Sequence, residues 1–211
     1  MKYEDVKIIN QEIKELEISM EIQEGFFNNL LKSESDWSFI IKLHAFLEVG
    51  CTVLITKALG RDELTDVISR LEMSGKNFGK TMFISRLSLL SKGAINYIHK
   101  LSEIRNCYVH NLKNISLSLE DYVKIMDKNQ RVNFVTSIGY DTVEDFKIGE
   151  KLIKKKDFIL ENPRIAIYVG AFSVLAELAV ELKFRKLTLK EADLNKRAAE
   201  LFISVFKKSR T

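Results

Sequence analysis

The chain has 211 residues, of which 46% are hydrophobic and 29% are charged, and its formal net charge is +4. This composition is ordinary for a soluble globular protein, and no low-complexity tract or internal repeat interrupts it. One proline and nine glycines favour long helices, and the mildly basic charge permits RNA or another anionic partner without requiring one.

Several classes of protein are excluded by short stretches of the chain. Residues 1–17 are too charged for a signal peptide, and the most apolar run, residues 165–176, is too short to span a bilayer. Cys51 and Cys107 lie among apolar residues, which is typical of reduced core thiols and not of a disulfide framework or a metal site. We therefore expect a cytoplasmic protein with no membrane segment, no cofactor and no bound metal.

The first half of the chain predicts a covering segment followed by a buried helix. Apolar residues recur at helical spacing over residues 3–32, where Gly25 divides the segment into two helices. Residues 33–36 (SESD) are a helix-start signal. The next helix, residues 37–59, is apolar on nearly every side and ends before Gly60, a natural helix terminator.

A polar seam interrupts this buried helix at every fourth residue. It consists of His44, Glu48, Thr52 and Thr56. Because a buried carboxylate needs a partner, we expect Glu48 to pair with Arg105, directly or through one water molecule. Glu48 is then either a structural ion-pair partner or part of the site, and His44 is a supporting residue in the same seam.

Two shorter helices are predicted over residues 62–73 and 81–91. The connector between them, residues 76–80, has a lysine at each end, and one glycine precedes it at residue 75 and another lies within it at residue 79. It is not a phosphate-binding loop, because the spacing of that motif and a preceding strand are both absent.

The helix predicted over residues 94–114 provides the main clue to function. Its apolar residues fall on one side at about 100° per residue. Arg105 projects from near the middle of that side, and Asn106 and His110 lie together at its edge, one turn apart. A guanidinium within an apolar stripe costs free energy unless it is paired or used. The apolar residues are Ala94, Tyr97, Ile98, Leu101, Ile104, Tyr108, Val109 and Leu112.

The stretch from Arg105 to His110 (RNCYVH) resembles the R-x4-H motif of the HEPN superfamily of small all-α domains. The phrase EIRNxxxHN is most similar to the mannitol-repressor-like branch. The resemblance implies an antiparallel helical bundle over about residues 37–127. It also implies, for active members, a ribonuclease that works without metal. We interpret residues 1–211 as one all-α domain in which residues 1–36 and 128–211 add flanking helices to this bundle.

Beyond the motif, the pattern is less regular. A capped helix is predicted over residues 116–127, whereas residues 129–141 show no helical period and are predicted as a loop or a short extended segment. Lys151, Lys154, Lys155 and Lys156 form a basic patch, which is either a solvated face or a contact for an RNA backbone. Two final helices are expected over residues 164–183 and 189–208.

The first functional hypothesis is an RNA endonuclease of the toxin or defence type. His110 would act in acid–base transfer, Arg105 would grip the phosphate, and Asn106 would orient His110 or the substrate. Lys113 and the lysines at 154–156 are the candidate contacts to the RNA backbone. Because one chain supplies one motif histidine, we expect a homodimer formed through the motif helix, as the resemblance implies.

The alternative is a non-catalytic regulatory or protein-interaction module, as in mannitol-repressor-like relatives. In that case Arg105 would hold the bundle together through Glu48, and His110 would be a surface residue. Leu112 stands where one toxin subgroup continues the motif with tyrosine, a departure that places the chain apart from that subgroup. An antitoxin or a regulatory protein is the corresponding candidate partner.

Overall fold

Helices make up almost all of the regular structure in the computed structural model, which describes residues 3–75, 78–142, 145–148 and 151–208. The predicted all-α fold class is confirmed. The helices are α1 (Tyr3–Ser19), α2 (Phe26–Asn29), α3 (Asp36–Leu59), α4 (Thr65–Ser69), α5 (Lys80–Arg86), α6 (Lys92–Val109), α7 (Leu119–Lys124), α8 (Lys128–Ile138), α9 (Lys155–Glu161) and α10 (Pro163–Lys208). Short 3₁₀ turns lie at Leu30–Lys32, Asp62–Leu64 and Leu112–Ser116.

The strands within the described residues form one antiparallel hairpin. Strand β1 (Asp145–Ile148) pairs with β2 (Lys151–Lys154), and the register places Asp145 opposite Lys154. This hairpin leads directly into α9.

Helix α3 begins and ends where its sequence signals predict. The hydroxyl of Ser35 caps the helix by accepting a hydrogen bond from the backbone N–H of Ser38 at 3.2 Å. At the other end, Gly60 adopts a left-handed conformation with φ of 63°, which glycine reaches without a steric penalty.

Helices α3, α6 and α10 pack together at the centre of the molecule. Helices α3 and α6 run antiparallel, because Asp36 lies near Tyr108 while His44, two turns further along α3, bonds to Ser102. This confirms the predicted pairing of the two helices. Most of the apolar side of α6 is buried in the resulting core, although Val109 at its end is exposed. Cys51 of α3 is also buried, and burial raises the pKa of its thiol to about 12. The buried side chains of α6 are Ala94, Tyr97, Ile98, Leu101, Ile104 and Tyr108.

The motif helix is shorter than predicted. Helix α6 ends at Val109, His110 is its C-terminal cap, and a 3₁₀ turn follows. The side chain of Asn111 explains the break, since it accepts a hydrogen bond from the backbone N–H of Lys113 at 3.1 Å and so starts the turn. The side chain of Leu112 lies outside the described residues.

The prediction of a loop or extended segment at residues 129–141 is wrong. Helix α8 occupies most of this stretch and starts with a capping box. The carboxylate of Asp127 accepts from the N–H of Gln130 at 2.8 Å, and the Gln130 side chain accepts from the N–H of Asp127 at 2.9 Å. These two bonds satisfy the first turn, and burial of Phe134 and Ile138 outweighs the local preference of the β-branched residues for extended structure.

The prediction of two separate C-terminal helices is also wrong, because α10 continues without interruption for 46 residues. No glycine or proline stands between residues 183 and 189, so nothing in the sequence ends the helix there.

The predicted helix over residues 62–73 is shorter than expected, since α4 ends at Ser69 and the chain then leaves the helical path.

Helices α3 and α10 are each long enough and apolar enough to cross a membrane, by length and composition alone. The apolar part of α10 is therefore longer than residues 165–176, the apolar run identified from the sequence. Most of the apolar part of α3 (67%) and half of that of α10 are buried inside the fold. Core helices of globular proteins have the same property.

Candidate active site

A polar cleft of about 450 Å³ opens beside the C-terminal half of α6. One wall is α3, which contributes His44 and Glu48, and a second wall is the segment 69–74 that follows α4. The floor is formed by α6 and its cap, with Ser102, Arg105, Asn106 and His110. The cleft therefore brings together the three predicted catalytic residues and both predicted supporting residues.

Arg105 and His110 share this cleft although about 140° separates them on an ideal helix. Asn106 lies between them, and its side-chain oxygen accepts a hydrogen bond from Nη1 of Arg105 at 3.1 Å. This contact turns the guanidinium toward the side of the helix that carries His110. Arg105 is half-buried, while Asn106 and His110 are exposed, so the three polar groups can meet a ligand.

The predicted direct ion pair between Glu48 and Arg105 does not form. Oε1 of Glu48 instead lies 2.8 Å from Nζ of Lys80, the first residue of α5. The Lys80 side chain is completely buried, whereas one third of the Glu48 side chain is exposed to the cleft. The ammonium group of Lys80 thus contacts the carboxylate of Glu48 from the protein interior, and the other side of the carboxylate is open to the cleft.

Lys80 also fixes the second wall of the cleft, the segment 69–74. Its ammonium group donates to the backbone carbonyls of Ser69 and Leu71. A third bond, from the backbone N–H of Lys80 to the carbonyl of Glu72 at 2.8 Å, clamps the start of α5 to this wall. One buried residue therefore connects both walls of the cleft.

The tight approach of the chain next to Lys80 depends on a glycine. A Cβ atom at Gly79 would lie 2.5 Å from the backbone nitrogen of Gly75 and 3.0 Å from the carbonyl oxygen of Glu72. Any larger residue would force these backbone atoms apart, so Gly79 allows Lys80 to reach the interior.

His44 lies at the inner end of the cleft between Ser102 and Glu48. Its Nε2 is 3.1 Å from the hydroxyl oxygen of Ser102, and its Nδ1 is 3.7 Å from Oε2 of Glu48. The Ser102 hydroxyl donates to the carbonyl of Ile98 at 2.9 Å, so in this arrangement Nε2 of His44 carries the proton that Ser102 accepts. Nδ1 is then the basic nitrogen, and it faces the carboxylate.

The electrostatic surroundings of His44 favour its neutral form. Burial lowers the pKa of His44 below its ordinary value, and the positive charges of Arg105 and Lys80 lower it further. The carboxylate of Glu48 opposes them by raising the pKa, but it has a smaller influence than burial. His44 is thus a neutral imidazole beside a charged pair.

Sequence reasoning missed Arg70, which lines the same cleft as Arg105. Arg70 is exposed, so the cleft holds a second guanidinium group that a ligand can reach. A second hollow of about 490 Å³ adjoins the cleft, and Ser74 and Asn106 line both. The two hollows form a longer groove that His99 borders at its far end.

The other predicted RNA contacts lie elsewhere. Lys113 is exposed in the turn that follows His110, outside the lining of the cleft. Lys154 and Lys156 are exposed, and the Lys155 ammonium donates to the carbonyl of Thr142 at 3.0 Å. The side chain of Lys151 lies outside the described residues.

The lysines at 154–156 are distant from the cleft because they lie at the other end of α6. Lys155 packs near Gly139, and the neighbouring Tyr140 packs on Gly93 in the first turn of α6. Gly93 and His110 are about 25 Å apart along the helix. A short RNA bound in the cleft would therefore not reach these lysines, and their role as contacts to an RNA backbone stays a prediction.

The apolar side of α6 does not by itself indicate a homodimer, because the chain's own core covers most of it. The homodimer itself stays a prediction.

Within the described part of the chain, no cluster of three or more His, Cys, Asp and Glu side chains could hold a metal ion. No protein-family model matches the chain, and no curated protein or solved structure matches it either. The similarity to HEPN domains is therefore carried by the motif residues alone.

Proposed function

We propose that the protein is an RNA endonuclease of the HEPN type, with the cleft beside α6 as its active site. The observation that carries the proposal is that Arg105, Asn106 and His110 line one open cleft together with Glu48 and His44. Arg105 supplies a cation for a phosphate and Asn106 an amide that can orient a neighbour. The histidines and Glu48 are groups that exchange protons.

The reaction that fits these groups is attack by a ribose 2′-hydroxyl on the adjacent phosphorus. A base removes the 2′ proton, the new oxygen–phosphorus bond forms, and the bond from phosphorus to the 5′-oxygen breaks. An acid then gives a proton to the departing 5′-oxygen. The products are a 2′,3′-cyclic phosphate and a 5′-hydroxyl. The reaction needs two proton-transfer groups and a cation for the charge that develops on the phosphate.

We assign these roles by accessibility. Glu48 presents one third of its side chain to the cleft and is the reachable acceptor of the 2′ proton. His110 is exposed and is the donor to the 5′-oxygen. Arg105, turned toward His110 by Asn106, binds the phosphate between them. His44 is nearly covered and lies beside Glu48 at the inner end of the cleft, where Lys80 holds the carboxylate in place.

The test of this reaction class is the chemistry of the products. Purified protein is incubated with a single-stranded RNA in EDTA, and the ends of the fragments are identified by mass spectrometry. The proposal predicts 2′,3′-cyclic phosphate and 5′-hydroxyl ends, and no cleavage where a 2′-deoxynucleotide replaces the attacking ribose. Cleavage that continues at the 2′-deoxynucleotide would contradict it. Intact RNA would instead favour the non-catalytic interaction module.

A further inference from the structure

The distal half of α10 carries an apolar stripe on its outer surface. The stripe consists of Val180, Phe184, Leu187, Leu194, Ala198 and Leu201, and we call it the α10 stripe. Val180, Leu187, Leu194 and Leu201 follow each other at intervals of seven residues, which places them on one side of the helix. The first three are 60–66% exposed. The stripe runs for about 32 Å, or three heptads.

This part of α10 projects beyond the packed core. Every side chain from Lys190 to Ile203 is exposed, whereas Leu182 is still buried. Most of the stability of an amphipathic helix in a protein comes from packing its apolar side and not from the helix by itself. An exposed stripe of large apolar side chains therefore marks a contact surface.

The near end of the stripe continues into a groove between α10 and α1. Ile8 and Ile9 of α1 form this groove of about 330 Å³ with Val180, Phe184 and Leu187. A partner that lies along the stripe would thus also contact α1.

Basic residues border the stripe along one edge. Lys183, Lys190 and Arg197 are also spaced by seven and lie next to the apolar positions on the same side. Lys183 is paired with Glu12 at 2.6 Å and Arg197 with Asp193 at 2.9 Å. Lys190 has no ion pair within the described residues. A partner that packs on the stripe would meet this basic edge, which favours acidic residues on the partner.

A second copy of α10 fits the stripe poorly in either direction. Glu191 lies on the same side of the helix as the stripe, between Leu187 and Leu194, so the Glu191 carboxylates of two copies would oppose each other in a parallel pair. In an antiparallel pair the basic edges would face each other and bring Lys190 against Arg197 of the other copy. Like charges at such positions work against self-pairing.

We propose that the α10 stripe is the docking surface for an acidic amphipathic helix of a different protein. The partner helix would have apolar residues at heptad spacing and Asp or Glu residues opposite Lys183, Lys190 and Arg197. This inference does not depend on the proposed nuclease activity, since the stripe and the cleft are separate surfaces.

The test uses the full-length protein and two synthetic helical peptides of about four heptads. Both peptides have leucine at the core positions, and the flanking positions are Glu in one and Lys in the other. Fluorescence anisotropy should show the acidic peptide binding at least about tenfold more tightly than the basic one. Leu194→Asp should abolish binding, and the double variant Lys190→Glu with Arg197→Glu should reverse the preference.

The control is Lys196→Glu, which reverses one charge in the same direction on the opposite side of the helix and should leave binding unchanged. Equal or absent binding of the two peptides would overturn the proposal. So would a dimer in analytical ultracentrifugation that Leu194→Asp dissociates, because the second copy would then be the occupant. Binding to phosphatidylserine vesicles without binding to either peptide would overturn it in favour of a lipid surface.

Discussion

Nζ of Lys80 lies 2.8 Å from Oε1 of Glu48, and this contact joins a completely buried ammonium group to a carboxylate that reaches the cleft. The two residues are 32 positions apart in the chain. The ion pair determines where the carboxylate of Glu48 stands relative to His44 and to the open space of the cleft. The shape of the proposed active site therefore depends on a residue that no ligand in the cleft would touch directly.

Removal of Glu48 should destabilise the fold strongly. Glu48→Ala leaves the buried ammonium of Lys80 without its counter-ion, and loss of one partner of a buried pair costs about 3–5 kcal/mol. Urea unfolding followed by circular dichroism measures the change in the free energy of unfolding. Addition of Lys80→Met to Glu48→Ala should restore part of the loss, because the unpaired charge is then gone.

The matched control for this prediction is Asp121→Ala, which removes the carboxylate partner of the exposed Lys124. Exposed pairs contribute no more than about 1 kcal/mol. If Glu48→Ala costs no more than Asp121→Ala, the ion pair with Lys80 does not stabilise the protein.

A second buried carboxylate, Glu17, should be important for the N-terminal helices. It is 1% exposed and accepts hydrogen bonds from the backbone N–H groups of Gly25, at 2.7 Å, and Phe27, at 2.9 Å. Glu17→Ala leaves both donors without this acceptor, and the expected loss is about 2–4 kcal/mol in the free energy of unfolding. Glu15→Ala, an exposed position of the same helix, is the control and should change it by less than about 0.5 kcal/mol. Equal effects of the two variants would show that the Glu17 contacts contribute little.

The pH dependence of stability should include a contribution from His44. Its pKa is lowered in the folded protein, mainly by burial, so the unfolded chain binds the proton more readily. Stability from this group is present above its unfolded pKa, about 6.5, and is lost as the pH falls below it. The slope from one such group is at most about 1.4 kcal/mol per pH unit.

Urea unfolding at a series of pH values between about 7.5 and 5, a range chosen around the unfolded pKa of about 6.5, measures this contribution. The parent protein should lose more stability over the range than His44→Gln, whatever the absolute stabilities of the two proteins. Parallel curves for the two proteins would show that His44 titrates alike in the folded and unfolded chains.

Several elements could be predicted from the sequence because their signals are local. The cap at Ser35, the stop at Gly60 and the apolar side of α6 each depend on residues within a few turns of one helix. The same helical spacing placed Asn106 and His110 together. The capping box that starts α8 is equally local, but the β-branched residues after it favour extended structure and obscure it.

The contacts of Lys80 could not be predicted in this way. Lys80 follows Gly79 and lies close to a second lysine in the sequence, a pattern typical of an exposed connector. Only the packing of α5 against α3 brings Lys80 to Glu48. Arg70 is part of the cleft for a similar reason, since α4 ends at Ser69 and the chain turns toward α6. Contacts between distant segments depend on the whole fold, and a single sequence does not encode them as a local pattern.

The most direct test of the central claim is the rate of RNA cleavage by the parent protein and by His110→Ala and Arg105→Ala. Loss of a proton-transfer group or of the phosphate-binding cation should slow cleavage by about 100-fold or more. Circular dichroism should show that both variants stay folded. Arg61→Ala, at an exposed position, should cleave like the parent, and so should Lys154→Ala on an RNA too short to reach the other end of α6. Cleavage by His110→Ala and Arg105→Ala at the parental rate would contradict the assignment of the active site to this cleft.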